Sequence, residues 1–287
     1  MNNLYYIKRI NIAIDYIEDN LENKLTLAKL SEVAALSKYH FHRIFKIITG
    51  ETLNEFIKRR KMEKACRLLI NSKSKSITEI AFECGYGSSS NFTRDFSEFY
   101  NAAPSKMREK NYKPYTRKIA NGKSTNPVFL GVSNIPEYEF LYSRISNGYN
   151  PAIIQMAFKA LYQFALKKNL FVSPEQFIGI GYDDPDYTPV AKCRYDAGLI
   201  LKNGLPKDTD LCGFNRKKIK NGVYAVFEYE GKGDKFFNAW DVIFTKWLLK
   251  SKYVPANNPH LEMYKASERY AEGIYKADLC LPVRVME

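Results

Sequence analysis

Two short stretches of this chain carry hydrogen-bonding side chains at helical spacing, and the two stretches are copies of one unit. The first sets out Lys38, Tyr39, His42, Arg43 and Lys46, and the second Ser89, Ser90, Asn91 and Arg94. On the opposite face of a 3.6-residue period lie Phe41, Ile44, Phe45 and Ile48 in the first, and Phe92, Phe96 and Phe99 in the second. Such a layout buries rings on one side and leaves donors on the other. A guanidinium suits guanine O6 and N7, an Asn amide suits adenine, and Ser or His suits several base edges. Covalent and metal chemistry find little support. His40, His42 and His260 are too few and too dispersed for a metal cluster or a His–nucleophile pair. Cys66, Cys84, Cys193, Cys212 and Cys280 are odd in number, scattered, and form no C-x-x-C pair. Reduced thiols in a cytoplasm are expected, with no cofactor and no metal.

The elements that position these residues form a repeated helix-turn-helix. Leu27, Leu30, Ala34 and Leu36 match Ile77, Ile80, Cys84 and Tyr86 at an offset of 50, whereas Phe41, Arg43 and Phe45 match Phe92, Arg94 and Phe96 at 51. The second copy therefore has one extra residue in its turn. Before the first copy, Ile7, Ile10, Ile14 and Ile17 predict a helix with a buried stripe. Thr26 and Ser37 stand where caps belong, and Gly50 ends the third helix. A fourth helix from Leu53 to Ile70 joins the copies, with the run Lys58–Lys61 mostly outward. At 1.5 Å per residue it spans about 27 Å. That length suits two reading units about one DNA turn, ~34 Å, apart.

Charge points the same way. Residues 1–125 hold 23 Lys/Arg against 13 Asp/Glu, and residues 126–287 hold 21 against 18. The excess in the first half suggests a polyanion partner for that half, a solvated lysine-rich surface being the plain alternative. Apolar runs are too short for a membrane span, and Asp15, Glu18 and Asp19 interrupt any export signal. No membrane partner is expected.

The strings TLAKLSEVAALSKYHFHRIFKIITGETLNEFIKRRKMEKACRLL and SITEIAFECGYGSSSNFTRDFSEFYNAAPSKMR resemble the DNA-binding domain of the AraC/XylS regulators, in the manner of its stand-alone MarA-type members, over about residues 5–110. The resemblance implies an all-α domain at 1–110 that binds double-stranded DNA. It places base contacts at Tyr39, His42 and Arg43, and at Ser89, Ser90, Asn91 and Arg94. Lys38, Lys46, Lys58 and Arg60 would touch phosphate, which positions but does not specify. Surface ion pairing is the plain alternative for both arginines, and capping for both serines. Ala35 stands where the family has a turn glycine, which suggests a differently shaped first turn, and Met107 replaces an aromatic residue.

Residues 111–126 read as a basic linker. From 127 to 287 short β-type runs alternate with two helices, giving an α+β domain of two strand–helix–strand–strand pseudo-repeats, with Tyr182 aligned to Tyr264 and Ala197 to Ala277. The second helix spans Asp234 to Leu249 on this reading. The strings GIGYDDP, CRYDAG, YAVFEYEG, NAWDVIFTKWL and LEMY, in that order, resemble a GyrI-like, BmrR-type small-molecule-binding domain. That resemblance implies a pocket between the repeats, where a carboxylate among aromatic rings meets a cationic, apolar effector. The carboxylate would be Glu262, and the candidate rings are Tyr142, Tyr182, Tyr195, Trp240 and Tyr264. An exposed strand glutamate and ordinary core rings are the plain alternatives. The whole chain reads as a ligand-responsive bacterial transcription regulator, without enzyme activity, in which ligand alters DNA binding or a contact with RNA polymerase. Activation is the commoner output in the resembled family. The alternatives are a C-terminal hydrolase of reactive cyclopropyl compounds, with Glu262 as base, and a ligand-sequestering module.

Overall fold

A computed structural model describes residues 3–72, 74–109, 126–146, 148–170, 173–202, 204–206, 208–256, 258–266, 268 and 272–285. It forms two compact units, residues 1–116 with 186–188 and residues 117–185 with 189–287. The expected linker lies outside the described residues except for Asn126.

The first unit contains α1 (Asn3–Asp19), α2 (Leu27–Val33), α3 (Lys38–Thr49), α4 (Leu53–Asn71), α5 (Ile77–Glu83), α6 (Ser89–Tyr100) and α7 (Pro104–Met107). Side-chain oxygens fix where these helices begin. Thr26, Ser37 and Ser88 each accept a hydrogen bond from the backbone three residues on, and Thr52 with Glu55 and Ser76 with Glu79 form reciprocal capping boxes. Two apolar cores result. One joins Ile10, Ile14 and Ile17 to Leu30, Phe41, Phe45 and Phe56, and the other joins Met62, Cys66 and Leu69 to Ile80, Phe92, Phe96 and Met107.

The two turns have the same backbone despite the different residues. Ala35 N donates to Glu32 O and Leu36 N to Ser31 O, and Gly85 N donates to Phe82 O and Tyr86 N to Ala81 O. Ala35 sits at φ 50° and Gly85 at φ 72°, both left-handed. The first turn is thus not reshaped by alanine; it keeps a conformation that costs an L-residue about 1–2 kcal/mol. At Gly85 a Cβ would also stand 2.6 Å from Glu22 O and 2.8 Å from Leu21 O, so glycine is required for space as well as for φ.

The run Lys58–Lys61 does not point mostly outward. Arg59 and Arg60 are 2% and 1% exposed. Arg59 Nε and Nη2 donate to Glu51 at 3.0 and 2.8 Å, and Nη1 donates to Glu63 at 3.0 Å. Arg60 Nε and Nη2 donate to Glu18 of α1 at 2.7 and 3.0 Å, and Nη1 donates to Glu63. Paired forks of this kind let a guanidinium sit inside a protein, because every charge has an opposite one in hydrogen-bond contact.

The second unit contains β1 (Val128–Ile135), β2 (Tyr138–Ile145), α8 (Pro151–Lys167), β3 (Phe177–Gly181), β4 (Tyr195–Ile200), β5 (Asn215–Ile219), β6 (Gly222–Lys232), α9 (Phe236–Val242), β7 (Tyr253–Pro255), β8 (His260–Lys265) and β9 (Ile274–Val285). The second helix is shorter than expected: after Val242 it loosens into a π turn, Ile243–Trp247, and a 3-10 turn, Leu248–Lys250. Eight strands run β1-β6-β9-β8-β3-β4-β2-β5, all neighbours antiparallel, and β7 pairs with β9. The order is a palindrome of two halves about the central β3–β8 pair. Each half also lends its first strand to the other: β1 leads into β2 but pairs with β6, and β5 leads into β6 but pairs with β2.

The register corrects the residue matching between halves. Tyr264 faces Ala277, whereas Ala197 faces Gly179, so Tyr182 is not the counterpart of Tyr264 if Ala197 is that of Ala277. Leu141, Tyr195, Ala197 and Leu199 pack with residues of α8, and Ala225, Phe227, Ala277 and Leu279 with residues of α9, on one sheet face. On the other face Ile135 of β1 and Ile219 of β5, from opposite ends of the strand order, bury in one cluster with Phe140, Ile178, Tyr224 and Leu261. The sheet therefore curls on that side.

Candidate functional site

The helix α3 projects Lys38, Tyr39, His42, Arg43 and Lys46 into solvent, with Tyr39 72% exposed. Among the described residues neither Lys38, Arg43 nor Lys46 is in an ion pair. Ile47, on the ridge that continues from Tyr39 and Arg43, is equally exposed at 72%. Sequence reading passed over it because an isoleucine between two apolar positions looks like core. On α6, Ser90, Asn91 and Arg94 are exposed and Ser89 is half-buried. Ser88 caps α6, which leaves both following serines free of that duty. Arg94 Nε stands 3.8 Å from Asp95, which is engaged elsewhere by the Tyr86 hydroxyl at 3.1 Å and Lys58 at 3.3 Å. One expected phosphate contact is corrected, since Arg60 is buried in its ion pairs; Lys58, partly exposed, meets Asp95 at 3.3 Å and Glu98 at 3.2 Å.

In the second unit, Glu262 lies on β8 directly across from Gly179 of β3, at the middle of the sheet. Strand alternation puts Glu262, Tyr264 and His260 on the face that carries the helices. Three donors converge on the carboxylate. Tyr195 Oη donates to Oε2 at 2.7 Å, Tyr264 Oη to Oε2 at 3.1 Å, and Trp240 Nε1 to Oε1 at 3.3 Å. Gly179 makes this possible, since a Cβ there would overlap the Tyr195 hydroxyl and stand 2.7 Å from Glu262 Oε2. Phe158 of α8 meets Tyr264 edge-on at 5.2 Å, and Phe236 of α9 meets it at 6.0 Å. Both helices thus contribute rings. Trp240 has His260 tilted against it at 5.1 Å, and its N–H edge is turned to the carboxylate.

All of Glu262's partners are neutral. Among the described residues no Lys or Arg pairs with it. Burial pushes its carboxyl above the usual range, against the three hydrogen bonds that pull it down. Burial, with the neighbouring Glu262 charge, also pushes the hydroxyls of Tyr195 and Tyr264 well up, so they stay protonated donors. Phe158, Phe236 and His260 were not singled out from sequence; their signal is weak because rings at helical spacing also describe an ordinary core.

Tyr142 and Tyr182 are not in this cluster. They gather on the opposite sheet face around Asp196, which is fully buried and receives Arg144 Nε and Nη2 at 2.8 Å each, Lys217 Nζ at 2.7 Å and the Tyr182 hydroxyl at 2.8 Å. Burial alone would raise the Asp196 carboxyl, but Arg144 and Lys217 outweigh it and hold it well below the usual range. The Lys217 ammonium lies 4.4 Å from the Tyr142 ring centre and 4.7 Å from that of Tyr182. These two rings do cage a cation, and it is the chain's own.

A doubled helix-turn-helix in one unit and, in the other, a duplicated sheet holding a carboxylate between two helices define a two-module protein of DNA-reading and small-molecule-binding type. Residues 30–110 match the helix-turn-helix domain family, and residues 132–284 match the GyrI-like small molecule binding domain family. The multiple antibiotic resistance protein MarA of Escherichia coli (strain K12) is 37% identical over 108 residues, 38% of this chain and 84% of that protein. The probable transcriptional regulator LumQ of Photobacterium leiognathi is 31% identical over 104 residues, 36% of this chain and 42% of that protein. The crystal structure of an AraC-type transcriptional regulator from Chromobacterium violaceum covers 35% of this chain and 88% of its own, at 25% identity and a TM-score of 0.34. The chain belongs to the AraC family of transcription regulators through its first unit and to the GyrI-like small-molecule-binding family through its second. No described helix is long and apolar enough to cross a membrane.

Proposed function

We propose that this protein is a one-component transcription regulator that reads a bipartite DNA site with α3 and α6 and senses a cationic, apolar small molecule at Glu262. The observation that carries the effector half is a partly buried carboxylate satisfied only by neutral donors. Removing a carboxylate from water without a counter-ion costs several kcal/mol, and a ligand cation supplies the missing charge. Aromatic faces around it add about 0.5–2 kcal/mol each. The reading uses Glu262, Tyr195, Tyr264 and Trp240 for the ligand, and leaves Tyr142 and Tyr182 to the internal Lys217 cage. For DNA it uses Lys38, Tyr39, His42, Arg43, Lys46, Ser89, Ser90, Asn91 and Arg94; the exposure of all but the half-buried Ser89 on two matched helices supports it. The protein acts where its DNA is, in the cytoplasm, and its output passes through RNA polymerase.

The test is a fluorescence titration of the full chain with a panel of lipophilic cations, since Trp240 touches Glu262 directly. Saturable quenching that disappears in Glu262→Gln supports the reading, and identical quenching in that variant sinks it. A second reading, hydrolysis of a reactive cyclopropyl compound, draws on the same carboxyl flanked by two tyrosine hydroxyls. Product formation that depends on Glu262 would favour it over sensing.

A further inference from the structure

Three lysines of α4 at i, i+3 and i+6 each grip a different part of the second helix-turn-helix. Lys58 Nζ meets Asp95 and Glu98 of the recognition helix α6 at 3.3 and 3.2 Å. Lys61 Nζ donates to Gly85 O in the turn at 2.9 Å and lies 5.4 Å from the Tyr86 ring centre. Lys64 Nζ donates to Glu83 O, the last carbonyl of α5, at 2.8 Å, and pairs with Glu22 at 3.1 Å. On the same helix Arg59 and Arg60 bind Glu51 and Glu18 of the first half. We propose that Lys58, Lys61 and Lys64 are positioning residues that clamp the second reading unit to α4 and so set the register between the two recognition helices within the protein.

The chemistry favours this over contact with phosphate. Carbonyls at a helix end lack intrahelical partners, and an ammonium there both donates to them and opposes the helix dipole. Burial also pushes the Lys61 ammonium down from its usual range, with the neighbouring Lys64 adding to this. The turn it holds abuts the carbonyls of Leu21 and Glu22, where only glycine fits. The last residues after α1, the middle of α4 and the second turn thereby meet at one point.

The inference rests on the DNA-reading proposal for its meaning, but its geometry is testable without DNA. Spin labels at Lys46→Cys and Asn91→Cys, in a Cys212→Ser background, report the distance between α3 and α6. The otherwise unmodified chain should give one narrow distance peak. Lys61→Met with Lys64→Met should lose that peak, and Lys61→Arg with Lys64→Arg should restore it. A peak equally narrow in the methionine variant overturns the proposal. If that double variant loses its helical circular dichroism, Lys61→Met alone takes its place. Binding is then measured on duplexes that the full chain selects from a random 30-base-pair pool, about the length spanned by two or three turns. The methionine variant should bind the selected duplex roughly tenfold more weakly, or about 1.4 kcal/mol, with an unchanged salt slope. A slope shallower by about one unit per lysine would make these residues phosphate contacts and also overturn the proposal. Failure to select any duplex would count against DNA reading and leave the spin-label result standing.

Discussion

Exchanging the two turn residues should move stability in opposite directions. Ala35 holds φ 50° with a Cβ, and Gly85 holds φ 72° without one. Ala35→Gly removes about 1–2 kcal/mol of left-handed strain, and returns about 0.5–1 kcal/mol through the freer unfolded chain. A gain of about 0.5–1 kcal/mol remains. Gly85→Ala reverses those signs and adds a steric cost, because the new Cβ would meet backbone oxygens at 2.6 and 2.8 Å that belong to a different segment. Overpacking of that kind costs about 1–3 kcal/mol, so the net loss is about 1.5–4 kcal/mol. For a unit of this size each kcal/mol shifts the midpoint by about 4–8 °C. Both tryptophans, Trp240 and Trp247, lie in the second unit, whereas the first is helical throughout its described secondary structure. Far-ultraviolet circular dichroism therefore follows mainly the first unit, and tryptophan fluorescence serves as an internal control that should stay put. A destabilised Ala35→Gly variant, or a Gly85→Ala variant that melts unchanged, would refute the reasoning about both turns.

Other perturbations follow from the same geometry. Arg94→Ala should cost about 1–3 kcal/mol on a specific duplex and little on random DNA, by competition binding; equal loss on both would make Arg94 a phosphate contact. Arg60→Met should remove the buried guanidinium shared by Glu18 and Glu63, leaving Arg59 on Glu63, and destabilise the first unit by up to about 3–5 kcal/mol, by denaturant titration. Because the Glu262 carboxyl is raised, cation affinity should be full at high pH and fall as pH drops through that raised value, beginning at a less acidic pH than for an ordinary carboxylate. Without ligand the sign is the opposite of the ordinary acidic residue, since the raised carboxyl contributes stability at low pH that is lost as pH rises. Titration calorimetry across pH checks the ligand arm, and Glu262→Gln should flatten it.

Much of the helical unit was legible because its signals are local. Caps at Thr26 and Ser37, the stop at Gly50 and the phenylalanine spacing of α3 and α6 are read within a few residues. The buried arginines were not, since the run alone does not distinguish Arg59 and Arg60 from Lys58 and Lys61; Glu63 and Glu51 lie nearby, but the carboxylate of Glu18 that completes the network comes from 42 residues earlier in the chain. In the sheet unit, alternation revealed β6 and β8 but not β5, whose sequence NRKKI is a charged edge. The division of the tyrosines between two faces depends on register, which no single strand encodes. Tyr195 and Asp196 are adjacent on β4 and alternation sends them to opposite faces, but which partners each meets there is set by the neighbouring strands.

The crossed strands β1 and β5 also decide the order in which the molecule comes into being. The half β3-β4-β2-β5 has all its strands once β5 is made, whereas the half β1-β6-β9-β8 takes its first strand from before the other half and its last from the end, so the sheet cannot close before β9 is synthesised. Its pairings join segments far apart in the chain, which slows folding, whereas the helices of the first unit meet near neighbours and fold fast. Domains emerging from the ribosome fold from the N-terminus onward. A nascent copy therefore passes through a period in which the seven described helices of the first unit are made and the sheet that follows them is still an open chain.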